Sequence, residues 1–444
     1  MVATASLIYS PGASHSRRVR LLILTMGWAS IVIGVFWGIF FAAHGDWPVT
    51  VSDVLLTMAG IAALRMVQRG RQRGAAIVLL LSLLVRIFVM AATLDIPTPE
   101  IPRSLHHFLL PVGLASYLML KHEAPWLRDG LSWGCLASVV FLGSTDFTVA
   151  TPYALGDDIR GPGTWANNVC AMGLMFLLLH LFVTDIGLLE RRIHAVRHLW
   201  KRLVNRVLPS QWTRELVRFD RAFVPLVPRE AIGISDQGTR IWVELQGRRV
   251  RLMVLVTSLL LIVLGMVFAL FFALQGAWVL TMTELALAVF GFGWAKLEGK
   301  TRHVRATFWL SMGLMVIFTI NSVTMDIPTP AFPRSTHFYF LTLSLVTYFL
   351  LREADRWVHF GVPLLGLVLF VGLASNNGGI WIPQTLPDTM RPPAWLNSLV
   401  ALGVLYLMVH ILVGEIQWLE KRILGLLGWL GASGPSPPTP TNHN

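Results

Sequence analysis

The 444 residues are 55% hydrophobic and only 14% charged, whereas soluble domains carry about 25% charged residues. That deficit and a series of long apolar runs exclude an ordinary soluble domain and predict a multi-pass protein whose first partner is the lipid bilayer. The net charge of +12 is read as basic loops gathered on one membrane face, not as a nucleic-acid footprint.

The chain opens with a short tail, 1–16. Arg17, Arg18 and Arg20 then precede an apolar run over 21–43. The run is longer than the roughly 7–15 residues of a signal-peptide core. Its arrangement returns internally as Arg248, Arg249 and Arg251 before 252–274, so the first run is expected to be a retained span. Five more runs follow at 51–65, 75–92, 106–120, 131–147 and 166–185. The second half repeats them at 279–296, 305–323, 337–351, 360–375 and 395–415. Several fall short of the roughly 20 residues needed to cross a 30 Å core. Each is counted because it has a counterpart in the other half, and the fourth span, about 15 residues long, is among the shortest of the first six.

The strongest sign of duplication is a pair of loops. Residues 95–106 read DIPTPEIPRSLH and residues 326–337 read DIPTPAFPRSTH, identical at nine of twelve positions with an offset of 231. Trp47 and Trp278, Tyr117 and Tyr348, and Trp126 and Trp357 keep that offset; Asn167 and Asn397, His180 and His410 follow at 230. The predicted fold is therefore all-α, with twelve transmembrane helices arranged as two parallel six-helix repeats. These occupy 17–186 and 248–430 and are related by a pseudo-two-fold axis along the membrane normal.

Loop charge gives the sidedness. Arg65, Arg69, Arg71 and Arg73, and in the second half Lys296, Lys300, Arg302 and Arg305, lie in the second-to-third loops. The positive-inside rule places both termini and the 187–247 linker in the cytoplasm and the DIPTP loops on the outer face of a cell inner membrane. The linker begins with apolar residues at Leu189, Ile193, Val196, Trp200, Leu203 and Val207, and basic ones between them. That pattern suits a helix lying on anionic headgroups or one pairing with a cytoplasmic partner. The tail 431–444 is rich in Gly, Pro, Ser and Thr and is expected to be disordered.

No phosphate-cradling loop, zinc-protease helix or nucleophile elbow is present, so no enzymatic activity is expected. Cys135 and Cys170 lie in apolar runs and imply neither a disulfide framework nor a metal site. The site candidates are Asp95, Arg103, Ser104 and His106 with Asp326, Arg334, Ser335 and His337. Three prolines per loop stiffen the backbone that carries them. Two readings stand. An Asp–Arg pair could close each loop, with Ser104 or Ser335 as N-cap of the fourth span. Alternatively, Arg and His could hold a small anionic or polar ligand. A further expectation concerns His180 and His410. They lie at one depth, as do His106 and His337, and a two-fold axis could pair them as axial ligands of a b-type haem. Arg86 is mid-span, and its counterpart is Ile317, so any role it has belongs to one half.

The string DIPTPEIPRSLHHF, with Tyr117 and the KHEAPWLRDG stretch, resembles the multi-pass membrane sensor regions that precede GGDEF- and EAL-type signalling domains in bacterial proteins. The resemblance implies a sensory input module with exit helices, here 188–207 and 417–430, and no output domain follows either. The expected function is a sensor or regulatory membrane module with a small-molecule ligand outside and a signalling partner inside. A six-plus-six secondary transporter and a two-haem cytochrome are the alternatives.

Overall fold

A computed structural model describes residues 11–98, 101–121, 123–145, 147–149, 160–181, 184, 237–296, 303–324, 326–329, 333–351, 354–376 and 393–432. The amphipathic helix expected at 189–207 and the tail from 433 onward lie outside the described residues. Within them the fold is all-α. In chain order the helices are α1 (Pro11–Ala43), α2 (Trp47–Gln68), α3 (Gln72–Thr93), α4 (Leu109–Met119) and α5 (Pro125–Ser144), then α6 (Arg160–Leu181). They continue as α7 (Gln237–Leu274), α8 (Trp278–Lys296), α9 (His303–Thr324), α10 (Phe338–Leu350), α11 (Arg356–Ala374) and α12 (Ala394–Ala432).

Nine of these described helices are long and apolar enough to cross a membrane. Their outward faces carry large apolar side chains, such as Trp28, Val32, Phe36 and Ile39 on α1, as a lipid-facing surface requires.

The chain forms two compact units. The larger comprises Tyr9–His180 and Met253–Gly414 and contains every site candidate. The smaller comprises Met1–Ile8, Leu181–Leu252 and Glu415–Asn444.

In the larger unit α1 packs on α2, and α2 on α3. The α1–α2 crossing is made close by glycine. A Cβ on Gly60 would stand 2.7 Å from the Gly27 carbonyl oxygen, and one on Gly34 would stand 2.6 Å from that of Asp53. Helices in lipid associate through such small-residue contacts, because apolar burial alone gives them little drive. Gly265 and Gly291 make the same close approach between α7 and α8, against the carbonyls of Glu284 and Ser258 at 2.6 and 2.8 Å.

The fourth and tenth helices differ from the rest. The expected span 106–120 is a 3-10 turn over Leu105–Phe108 followed by the eleven residues of α4. At 1.5 Å per residue α4 is about 16 Å long, half a bilayer core. It needs no greater length, since all eleven residues are buried among other helices. α10 is buried along nearly its whole length too. Helices apolar all round behave this way, and these two form the centre on which the site is built.

Candidate functional site

Each DIPTP loop leaves the end of one helix and enters a buried one. α3 ends at Thr93, and Asp95 reaches forward to the next helical turn. Its Oδ2 accepts from the backbone N–H groups of Ser104 and Leu105 at 2.5 and 2.6 Å. Asp326 does the same for Ser335 and Thr336, at 2.7 and 2.6 Å, and takes the Thr336 hydroxyl at 2.9 Å. The expected serine cap is therefore corrected. Ser104 occupies the cap position without capping, because the acid across the loop already holds those orphan donors.

The expected Asp–Arg pairing is also different in form. Arg103 donates from Nε to the backbone oxygen of Asp95 at 3.0 Å. Its Nη1 meets the Leu142 carbonyl and, at 3.1 Å, that of Thr145, while Nη2 meets Phe147 at 2.7 Å. Arg334 repeats the pattern on the carbonyls of Asp326 (3.2 Å), Leu373 (2.9 Å) and Asn376 (2.7 Å). The carbonyls at the ends of α5 and α11 lack helical partners, and a guanidinium fork satisfies several at once. Each arginine thus fastens its loop to the following helix end. The serines face sideways: Asn167 donates to Ser104 Oγ at 3.1 Å and Asn397 to Ser335 Oγ at 3.2 Å.

Burial pushes the Asp95 carboxyl above its ordinary range. The N–H groups of Leu105 and Ser104 and the charge of Arg103 oppose the shift without cancelling it. Burial likewise lowers the Arg334 guanidinium, against the pull of Asp326.

The two loops meet around one cavity of about 140 Å³, lined by Pro97, Arg103, His106, His107, Arg334 and His337 among others. Three imidazoles gather there. The His106 and His107 rings are 4.1 Å apart and those of His107 and His337 5.9 Å. His107 Nδ1 lies 2.6 Å from Asn168 Oδ1, and Asn168 Nδ2 donates to Ser375 Oγ at 2.8 Å. With the amide so oriented, His107 carries its proton on Nδ1 and keeps Nε2 as an acceptor. That atom is buried without a partner, as are His106 Nδ1 and both nitrogens of His337. A buried polar group left unpaired costs about 1–3 kcal/mol.

His180 and His410 face tyrosines. His180 Nδ1 lies 2.8 Å from the Tyr348 hydroxyl. The His410 ring is 6.3 Å from that of Tyr117, and its Nδ1 is 3.7 Å from Asp129 Oδ1.

Sequence reasoning passed over three of the residues that matter here. His107 is the second half of an HH doublet whose counterpart is Phe338, so the search for repeated residues missed it. Asn168 sits inside an apolar run. Asp53, also within such a run, is the partner of Arg86, whose Nε donates to its Oδ1. An acid and a base in neighbouring apolar runs were the available signal.

No protein family, curated protein or solved structure matches the chain.

Proposed function

We propose that the chain is a non-enzymatic membrane sensor or regulatory module that takes a small oxyanion or similar polar ligand between its two DIPTP loops. One observation carries the reading: both loops line a single cavity beside four imidazole nitrogens that have no partner. A ligand with acceptor oxygens and a proton to donate would match imidazoles that offer both functions. The two buried guanidinium groups add a positive field, although their donors are engaged on carbonyls.

The architecture belongs to the same proposal: twelve spans in two parallel repeats. It is supported by helix starts at Trp47 and Trp278 and at Gln72 and His303, each pair 231 apart. Repetition of the Asp and Arg contacts in both loops supports it too, as does their sharing one cavity, which parallel repeats require. With basic loops inside, the cavity faces outward from an inner membrane. The basic sequence at the start of the 187–247 linker and the exit segment 417–430 would contact a cytoplasmic partner. Between α4, α6 and α12 lies a void of about 10 Å³, lined by residues such as Leu110, Met175 and Tyr406. Close packing there favours a module that reports ligand binding over a transporter with a central path.

The test uses the purified full-length protein in detergent. Phosphate, bicarbonate and acetate are titrated at constant ionic strength, and unfolding is followed by temperature. Saturable stabilisation by at least one anion, weakened in both His107→Ala and His337→Ala, is expected. Absence of saturation for all three, or persistence in both variants, ends the proposal.

A further inference from the structure

A second cavity lies beside the second DIPTP loop, and its chemistry is opposite. It measures about 90 Å³ and is lined by Glu284, Asn321, Asp326, Thr336, Tyr339 and Asn397. Rings of Phe268, Phe272 and Phe318 complete its wall. Glu284 sits in α8, six residues beyond its start at Trp278 and about 9 Å along it.

Glu284 follows Asp53 by 231 residues, and Ile317 follows Arg86 by the same interval. In the first half the carboxylate is held by Arg86. In the second half the acid is kept and the base is replaced by a hydrocarbon. Among the described residues none donates a hydrogen bond or ion pair to Glu284. An acid within a membrane span is expensive unless something compensates it.

A second, separate observation points to an occupant. Asn321 is 6% exposed and lines the same cavity, and its Oδ1 is buried with no donor. Asp326 Oδ2 is already taken by Ser335 and Thr336. Besides the Tyr339 hydroxyl, which can donate or accept, the polar atoms left without partners are acceptors, the Glu284 carboxylate and Asn321 Oδ1, set among aromatic rings. Acceptors call for a donor-rich ligand, and aromatic walls suit a cation. Gly265 lets α7 approach the backbone of α8 closely at Glu284: a Cβ there would stand 2.6 Å from the Glu284 carbonyl oxygen.

We infer that this cavity is a binding site for a small organic ammonium ion, with Glu284 as counter-ion and Asn321 as hydrogen-bond acceptor. The volume, several times the roughly 10–15 Å³ that one water needs on the same measure, leaves room for a small organic ammonium. The site shares only Pro333 with the lining of the histidine cavity and differs from it in charge, and its ligand is a cation.

The test is equilibrium binding of radiolabelled methylammonium to the full-length protein in detergent, with sodium chloride holding ionic strength constant. Saturable binding of one ion per chain is expected, at least tenfold weaker in Glu284→Gln, as loss of a charge-assisted contact implies. Absence of saturable binding to the wild-type protein, or equal binding by Glu284→Gln, overturns the inference. Should Glu284→Gln not purify as a single species, Asn321→Leu replaces it, and unchanged binding in that variant is equally decisive against the site.

Discussion

The hydroxyl of Tyr348 meets Nδ1 of His180 at 2.8 Å, joining α10 to α6 across 168 residues of sequence. Tyr348 is buried, and its ring also stacks on His359 at 4.6 Å. Tyr348→Phe keeps the ring and removes the hydroxyl. A net loss of about 1 kcal/mol is expected, the usual worth of one such bond. His180→Ala should lose a similar amount, and the double variant less than the sum. Reversible unfolding in mixed micelles measures the cycle; strict additivity would show that the contact has no energetic weight.

Arg103 should not be replaceable by lysine. Its fork reaches the carbonyls of Asp95, Leu142, Thr145 and Phe147, and an ammonium on a flexible stem cannot reproduce that spread. With charge-assisted bonds worth about 1.5–3 kcal/mol each, Arg103→Lys is expected to cost about 3 kcal/mol or more. The same holds for Arg334→Lys. Thermal unfolding of the purified variants is the check, and a shift within error of wild type would remove the clamp from the account.

Asp95 gives a pH prediction with a definite sign. Its carboxyl is raised above 3.8 in the folded state, chiefly by burial. The folded protein then binds the proton more tightly than the unfolded chain does. This contribution to stability is complete below about pH 3.8 and is lost as pH rises through the folded value. Asp95→Asn cannot ionise, so its stability relative to wild type should rise across that window and then level off. Melting profiles from pH 3.5 to 7.5 test this, and the opposite slope would mean that the backbone N–H groups outweigh burial.

The buried pair Asp53–Arg86 should respond unequally to single and double replacement. Arg86 retained without its acid is a stranded cation, so Asp53→Ala is expected to cost about 3–5 kcal/mol. The combination Asp53→Leu with Arg86→Ile supplies apolar volume at both places and should recover most of that loss. Detergent unfolding of the three proteins decides it, and a double variant no better than Asp53→Ala would rule out simple charge stranding.

Gly60 is expected to tolerate no side chain. A Cβ there would stand 2.7 Å from the backbone oxygen of Gly27 and 2.9 Å from Ile31. Because the first obstacle is backbone, Gly60→Val must part α1 from α2, at a cost of about 1–3 kcal/mol or more. Gly130→Val is the control, since a Cβ on Gly130 meets nothing within 4 Å.

The helices were largely legible because apolar runs must become helices in a solvent that offers the backbone no hydrogen bonds. The loop residues were legible as a set because both halves keep them. Their roles were not. A linear string does not tell which oxygen an arginine reaches, and Arg103 reaches carbonyls 39 to 44 residues away as well as the backbone oxygen of Asp95. α4 was read as a short span because length alone cannot separate a helix facing lipid from one enclosed by other helices. His107 and Glu284 escaped for a different reason: they matter through the differences between the halves, at Phe338 and Ile317, and a search for repeats discards differences.

Phe338 has its own consequence. Two nearly identical loops around one cavity could receive an occupant in either of two equivalent poses. A fourth imidazole at 338 would have allowed that. The phenyl ring there, 5.7 Å from His107, leaves the second loop's wall with the His337 imidazole alone where the first has two. Any ligand held between the loops is thereby given a single orientation, and the two halves of the chain would experience its arrival differently.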